Sequence, residues 1–152
     1  MLTVSAGIDE SNGDGYFVLW PKDPQKSANE IRDFLRKKFN IKNLGVIITD
    51  SRTTPLRWGV TGSAIAFSGF NPLNDYIGTP DLFGRLIEHT KLNIADSLAT
   101  SAALVMGEAN ESTPLSIITD VPMVEFVENN PTSEDLDELK IEIKDDLYYP
   151  LL

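Results

Sequence analysis

Residues 44–68 read LGVIITDSRTTPLRWGVTGSAIAFS and contain the pattern that decides the fold. The apolar run at 44–49 is typical of a buried strand, and 60–68 predicts another strand. The polar residues between them, 50–59, predict a loop. Asp50 would then directly follow a buried strand, a position where ligand sites collect in open α/β sheets.

Two helices are predicted on either side of this stretch. Ser27 and Glu30 form a capping-box pattern, and apolar residues then recur at helical spacing, which predicts a helix over 27–39. An alanine-rich run at 93–106 predicts the other helix, and Gly107 occupies the position of its C-terminal cap.

The remaining elements are shorter. Strands are expected at 2–8, 15–20, 85–91 and 114–119, and Ser133 can cap an acidic helix near 133–139. The strand at 15–20, the first helix and the strand at 44–49 would form a β-α-β unit. Because strands and helices are mixed without strict alternation, the predicted class is α+β: a mixed sheet with helices packed on it.

Length and composition indicate one folded domain over 1–152. The chain has 0 cysteines, which excludes disulfides, thiolate metal sites and a cysteine nucleophile and suits a reducing cytosol. No apolar run approaches the ~18 residues that span a bilayer, and the N-terminal residues lack the pattern of a signal peptide. We therefore expect a cytoplasmic protein without a membrane partner.

The net charge of −10 is unevenly distributed. Residues 120–152 hold ten acidic and two basic side chains, so this segment carries −8 and the first 119 residues carry −2. An acidic chain disfavours nucleic acid, because a phosphate lattice needs a basic stripe. The nearly neutral main part can still accept an anionic ligand, and the acidic segment is typical of a solvated face.

The loop predicted after the 44–49 strand is rich in chemistry. One carboxylate, three hydroxyls and two guanidiniums lie within eight residues: Asp50, Ser51, Arg52, Thr53, Thr54 and Arg57. This set suits a metal ion together with a phosphate or carboxylate. The alternative is a strand-end acid that caps a loop, with the arginines in surface ion pairs.

Acidic side chains also stand at two other predicted element ends. Asp9 follows the first strand, and Asn12 lies shortly after it in 10–15, a segment that resembles the start of a calcium loop but lacks the later ligands, so a β-turn is favoured. Glu108 follows Gly107, where the helix dipole disfavours a carboxylate unless a cation or solvent offsets it.

Several common catalytic patterns are absent. The sequence contains neither the GxxxxGK[ST] phosphate loop nor GxGxxG. His89 is the only histidine, and its place in a predicted strand favours a structural role. No Ser/His/Asp set can be assembled around it.

Three stretches together resemble the coenzyme F420-0:L-glutamate ligase family. They are AGIDESN at 6–12, the region from VIITDSRTTPLRWG at 46–59 through GTPDLFGR at 78–85, and NIADSLATSAALVMGEANESTP at 93–114. The order and spacing also agree, which implies a ligase lobe over 1–119 followed by an acidic extension at 120–152. The family's usual N-terminal half has no counterpart here.

The resemblance implies a GTP- and divalent-metal-dependent ligase. Such a ligase joins L-glutamate to an acceptor carboxylate through an acyl phosphate, with Mg²⁺ or Mn²⁺ as cofactor and GTP as co-substrate. The implied metal ligands are Asp9, Asp50, Ser51 and Glu108. The implied nucleotide contacts are Asn12, Met106, Gly107, Glu108, Ala109, Asn110, Glu111, Ser112 and Thr113. Arg52 and Arg57 are the catalytic candidates, because guanidiniums bind carboxylates and phosphates in a bidentate manner.

Three alternatives stay open for the family's N-terminal half: this chain is a fragment, the half is a separate polypeptide, or the activity has been lost or changed. The expected partners are a second copy of the chain in a homo-oligomer or that separate N-terminal half. The alternative function is a non-catalytic or partner-dependent lobe that acts as a binding subunit.

Overall fold

The computed structural model describes residues 8–151, so the strand expected at 2–8 lies almost wholly outside the described residues. The strands are β1 (Ile8–Asp9), β2 (Val18–Leu19), β3 (Val46–Thr53), β4 (Val60–Ser68), β5 (Leu73–Asp75) and β6 (Lys91–Asn93). The helices are α1 (Pro24–Phe39), α2 (Ile94–Met106) and α3 (Ser133–Asp137), followed by 3-10 turns at Ile143–Asp145 and Tyr149–Leu151.

The described strands form three antiparallel pairs: β1 with β2, β3 with β4, and β5 with β6. The α+β class is confirmed. The β-α-β unit is wrong, because β3 turns back through 54–59 and pairs with β4, and α1 packs on this hairpin. The strand predicted at 60–68 has the predicted bounds.

Strand β3 runs further than its apolar residues. Asp50 pairs with Ser63 and Ser51 with Gly62, so the polar residues continue the ladder. Backbone N–H and C=O groups pair irrespective of the side chains they carry, and β4 supplies them with partners. The prediction that Asp50 follows the strand is therefore wrong, since it lies inside β3.

Helix α1 begins three residues before the predicted start. Asp23 is its N-cap and accepts from the Lys26 amide at 2.9 Å, and Pro24 occupies the first helical position. The predicted Ser27–Glu30 capping box is wrong. The Ser27 hydroxyl instead donates to the Asp23 carbonyl at 3.0 Å.

Helix α2 confirms the prediction for 93–106. Asn93 caps it by accepting from the Asp96 amide at 2.9 Å, and Gly107 ends it at φ 78°. The helix lies very close to β4, because a Cβ at Gly62 would stand 2.3 Å from the Ala99 carbonyl oxygen.

The core lies where α1 and α2 meet the β3–β4 hairpin. It consists of Phe67, Phe70, Ile94 and Ala95, with Ile47, Ala64, Leu98, Val124, Leu136 and Leu139 packed around it. Three of these residues come from the acidic 120–152 segment, so that segment is only partly a solvated face.

Buried Arg32 explains how the acidic segment is attached. It is 1% exposed and donates to the carbonyls of Leu44, Val127 and Glu128 and to Asn130 Oδ1. Burial is the main cause that lowers the pKa of Arg32 below its ordinary value. Four acceptors hold the guanidinium, which remains charged in proteins.

Other predicted elements differ from the structure. The strand expected at 114–119 is irregular and the one expected at 85–91 is a loop that precedes β6. The acidic helix is confirmed as α3, but the predicted cap is wrong, because Thr132 and not Ser133 occupies the N-cap position. Within residues 8–151, no helix has the length and apolar character needed to cross a membrane.

Candidate functional site

The turn between β1 and β2 presents Asp9 and Asn12. Two consecutive turns form it, with the Gly13 amide donating to the Glu10 carbonyl at 3.1 Å and the Tyr16 amide to the Gly13 carbonyl at 2.9 Å. The β-turn favoured for this segment is confirmed. The Ser11 amide donates to Asp9 Oδ1 at 2.8 Å, and this hydrogen bond is the largest cause that lowers the pKa of Asp9.

The indole of Trp20 connects Asp50 to the β1–β2 hairpin. The Trp20 Nε1–H, directly after β2, donates to Asp50 Oδ2 at 3.0 Å. This bond fixes the β1–β2 pair against the β3–β4 hairpin, because a two-stranded pair is marginally stable without such support.

The loop at 107–113 lies between these two hairpins. The Ser51 hydroxyl lies 2.8 Å from both Glu108 carboxylate oxygens. The Asn12 side-chain amide donates to the Ala109 carbonyl at 2.7 Å. Predicted site residues from three distant parts of the chain are thus brought together around one loop.

Glu111 gives the loop its shape. Its carboxylate accepts from the Ala109 amide at 2.8 Å, which is the largest cause that lowers the pKa of Glu111. Gly107 has a φ of 78°, a conformation that favours glycine, and a Cβ there would also displace the Glu111 side chain. Further along, Thr113 Oγ1 donates to the Glu111 carbonyl at 3.0 Å, and Ser112 Oγ donates to the Asn110 carbonyl at 3.4 Å.

The four carboxylates around this loop are bonded only to neutral groups in the described part of the chain. Asp9, Asp50, Glu108 and Glu111 accept from two backbone amides, an indole and a hydroxyl. None of them takes part in the ion pairs found within residues 8–151. None of the four is therefore offset by a cationic side chain in the ion pairs of the described residues.

The side-chain oxygens of Asp9, Asp50, Ser51 and Glu108 are of the chemical type that binds a hard divalent cation. Carboxylate and hydroxyl oxygens are the ligands that Mg²⁺ prefers, and Mg²⁺ usually takes one or two carboxylates, with substrate phosphates and waters completing its shell. Among residues 8–151, no three acidic or histidine side chains come close enough to form a cation cage by themselves. The expected cage of Asp9, Asp50 and Glu108 is thus not preformed.

The two candidate arginines have different surroundings. Arg52 Nη1 lies 3.4 Å from Asp96 Oδ2, and Asp96 also accepts from the Ala64 amide, so Arg52 is held against α2. Arg57 is exposed on the 54–59 loop beside Trp58, whose side chain is fully exposed. The structural role predicted for His89 is wrong, because His89 lies in the loop before β6, where its side chain is highly exposed and its Nε2 lies 3.7 Å from the Glu88 carboxylate.

Sequence reasoning missed Trp20 and Ser11. Trp20 gave a usable signal, because an indole N–H at a strand end requires an acceptor and the nearest buried strand carries an aspartate. Ser11 acts through its backbone amide, which any residue except proline could supply.

Fold and site define an α+β protein in which the β1–β2 and β3–β4 hairpins are both hydrogen-bonded to the 107–113 loop. The model of the F420-0:gamma-glutamyl ligase family matches residues 1–120. The chain belongs to this family.

Three relatives illustrate the match, each a coenzyme F420:L-glutamate ligase. The protein of Methanococcus maripaludis is 47% identical over 119 residues, which is 78% of this chain and 48% of the relative. That of Methanopyrus kandleri is 46% identical over 118 residues (77% and 46%). That of Methanothermobacter thermautotrophicus is 43% identical over 119 residues (78% and 47%). The chain spans about half the length of the relatives it matches.

Proposed function

We propose that this chain is a catalytic lobe of a gamma-glutamyl ligase that joins L-glutamate to an acceptor carboxylate, as in F420-0 ligation. The observation that carries the proposal is the pair of contacts, Ser51 with Glu108 and Asn12 with the Ala109 carbonyl, that brings residues implied by the resemblance together at the 107–113 loop. Family membership supports the choice of reaction, because the relatives are named for ligation of glutamate to coenzyme F420.

The reaction needs two displacements. The acceptor carboxylate attacks the γ-phosphorus of GTP and GDP leaves, giving an acyl phosphate. The glutamate amine then attacks the acyl carbon, phosphate leaves and the amine loses a proton, so an amide forms. Phosphoryl transfer depends on alignment and on neutralising charge at the phosphate oxygens.

Asp9 and Asp50 would hold one divalent cation, and Ser51 and Glu108 would hold another. When bound, these cations supply charge neutralisation at the phosphate oxygens. Asn12 positions the 107–113 loop through the Ala109 carbonyl, and this loop would line the nucleotide. Glu111 keeps the loop folded through its bond to the Ala109 amide.

Arg57 is better placed than Arg52 to bind the acceptor carboxylate or a phosphate. Arg52 is already engaged by Asp96 and is half-buried. Arg57 stands on an exposed loop, where its guanidinium can form bidentate bonds to an incoming anion. Exposed Trp58 next to it offers an aromatic surface to a flat acceptor ring.

The test is a thermal melt with Mn²⁺ and GTP. Ligands that bind the folded chain at 100 times their Kd stabilise it by about 2.7 kcal/mol, which raises Tm by about 5–10 °C in a chain of this size. Asp50→Asn should remove the shift, whereas Asp75→Asn makes the same change in a surface ion pair with Lys91 and should keep it. Wild-type protein that shows no shift at millimolar metal and nucleotide contradicts the proposal.

A second function is a partner-dependent lobe without activity of its own. The large exposed apolar side chains of β2 and α2 favour it, because a surface of this kind is ordinarily covered. Ligase activity of the isolated chain would exclude this function, and cation binding without activity would favour it.

A further inference from the structure

Trp20 differs from the apolar residues that precede it. The residues at 16–19 are each more than half exposed, whereas Trp20, directly after β2, is half-buried. An indole has a single N–H donor, and that of Trp20 lies 3.0 Å from Asp50 Oδ2. The ring is therefore fixed by a polar contact with a candidate metal ligand as well as by partial burial.

The hydrogen bond from Trp20 engages only one oxygen of Asp50. Because its acceptor is a carboxylate, the bond is of the charge-assisted kind, which is stronger than a bond between neutral groups. It holds Oδ2 and so fixes the rotation of the carboxylate about its Cβ–Cγ bond. Within residues 8–151, the other oxygen, Oδ1, accepts no hydrogen bond and belongs to no ion pair. Asp50 is thus oriented through one oxygen and keeps the other for a ligand.

The indole also relates Asp50 to Asp9. Asp9 pairs with Val18, so their side chains lie on one face of the β1–β2 pair. Trp20 follows Val18 by two residues, the spacing at which an extended chain returns to the same face. The indole that holds Asp50 therefore extends from the face that carries Asp9.

Ser51 has a different partner on the other side of the same strand. Asp50 pairs with Ser63 and Ser51 with Gly62 in unbroken register, so Asp50 and Ser51 point to opposite faces of β3. Ser51 contacts Glu108, and Asp50 contacts Trp20. The support that the indole provides is therefore specific to Asp50.

We propose that Trp20 is a positioning residue for the cation that Asp9 and Asp50 would hold. It acts through Asp50, since the Nε1–H holds Oδ2 and leaves Oδ1 to the cation. Loss of a hydrogen bond that orients a metal ligand typically costs about 10–100-fold in metal affinity. The proposal deepens the proposed function and rests on it for the cation site.

The first test uses the unaltered full chain and NMR. The chain has two tryptophans, so its spectrum contains two indole N–H signals, and Trp58→Phe shows which one belongs to Trp20. Addition of Mg²⁺ should shift the Trp20 signal, because a cation at Asp50 draws charge from the oxygen that accepts the indole N–H. The signal of Trp58, whose side chain is fully exposed, should stay in place.

The second test compares Trp20→Phe with Trp58→Phe, which makes the same change at the exposed indole. Trp20→Phe keeps an aromatic ring and removes the donor. Titration of free Mn²⁺ by electron paramagnetic resonance should show that Trp20→Phe raises the Kd of one bound Mn²⁺ at least about tenfold. The Mn²⁺ at Ser51 and Glu108 should keep its Kd, and Trp58→Phe should bind both ions normally.

Three results would overturn the role of Trp20: an unshifted Trp20 signal in protein that binds Mg²⁺, wild-type Mn²⁺ affinity in Trp20→Phe, or an equal loss of both ions, which would show that the indole only tethers two hairpins. If Trp20→Phe fails to fold, the NMR measurement on the unaltered chain decides. A chain that binds neither Mg²⁺ nor Mn²⁺ overturns the cation site of the proposed function and the role of Trp20 with it. Cation binding that depends on Trp20, in a chain that forms no amide, supports this role and overturns only the proposed function.

Discussion

Ser51 and Glu108, 57 residues apart in sequence, are joined by a hydroxyl that stands 2.8 Å from both oxygens of the carboxylate. The bond connects β3 to the loop that follows α2. It leaves the charge of Glu108 unbalanced, because the donor is neutral. This pair therefore both stabilises the fold and forms part of the proposed cation site.

Glu108→Gln should separate the two roles. The glutamine carbonyl can still accept from Ser51, so Tm should stay near that of the wild type, but the negative charge is lost. We expect Mn²⁺ affinity to fall at least about tenfold, measured by electron paramagnetic resonance titration of free Mn²⁺. Glu88→Gln makes the same change on an exposed loop and should bind normally. Equal affinity in both variants would remove Glu108 from the site.

The 107–113 loop should loosen at acidic pH. Folding lowers the pKa of Glu111 below its ordinary 4.5, chiefly through the bond from the Ala109 amide. This contribution is thus present above the unfolded pKa and is lost as pH falls through the folded pKa. The Ala109 amide resonance should shift with a midpoint below 4.5 in an NMR titration. In Glu111→Gln that transition should be absent, and its persistence would show that another group controls the loop.

Asn130 should contribute strongly to stability. Its Oδ1 accepts from buried Arg32 at 3.0 Å and from buried Ser68 at 3.0 Å, so Asn130→Ala leaves two buried donors unpaired. We expect a loss of about 3 kcal/mol in the free energy of unfolding in urea. Exposed Asn110→Ala is the control and should change it by less than about 0.5 kcal/mol. Similar values for both variants would show that the acidic segment does not hold the core together.

The sequence predicted what depends on local pattern. The spacing of apolar residues placed α2 and β4 within a residue of their bounds, and Gly107 marked the end of α2. It did not predict the antiparallel pairing of β3 with β4, because pairing depends on which strand offers a free edge. Nor could it show that Val124 and Asn130 complete the core, since an acidic composition describes the charge of a segment and says nothing of its few buried residues.

The candidate site was also predicted only in part, because some of its contacts join elements that are distant in the sequence. The resemblance indicated Asp9, Asp50 and Glu108, and the structure brings their elements together around the 107–113 loop. It did not indicate Trp20, whose bond to Asp50 joins two hairpins. Contacts of this kind arise only when distant elements meet.

The start of α1 gives a direct test of capping. Asp23 accepts from the Lys26 amide, whereas the Ser27 hydroxyl only donates to a carbonyl inside the first turn. Asp23→Ala should therefore lower the free energy of unfolding by about 1 kcal/mol, and Ser27→Ala by less than about 0.5 kcal/mol. Urea unfolding of both variants measures the difference. A larger loss for Ser27→Ala would restore the helix start predicted from the sequence.

Gly62→Ala should affect both the fold and the site. The new Cβ would stand 2.3 Å from the carbonyl oxygen of Ala99, and backbone cannot move aside as a side chain can. We expect a loss of about 1–3 kcal/mol on urea unfolding as α2 is pushed away from β4.

Because Gly62 pairs with Ser51, the same displacement should weaken Mn²⁺ binding through the Ser51–Glu108 bond. Gly78→Ala is the control, since its Cβ would meet open space and only its φ of 79° is strained. That variant should lose stability and keep its Mn²⁺ affinity. If Gly62→Ala binds Mn²⁺ as tightly as Gly78→Ala does, the position of α2 does not set the geometry of the cation site.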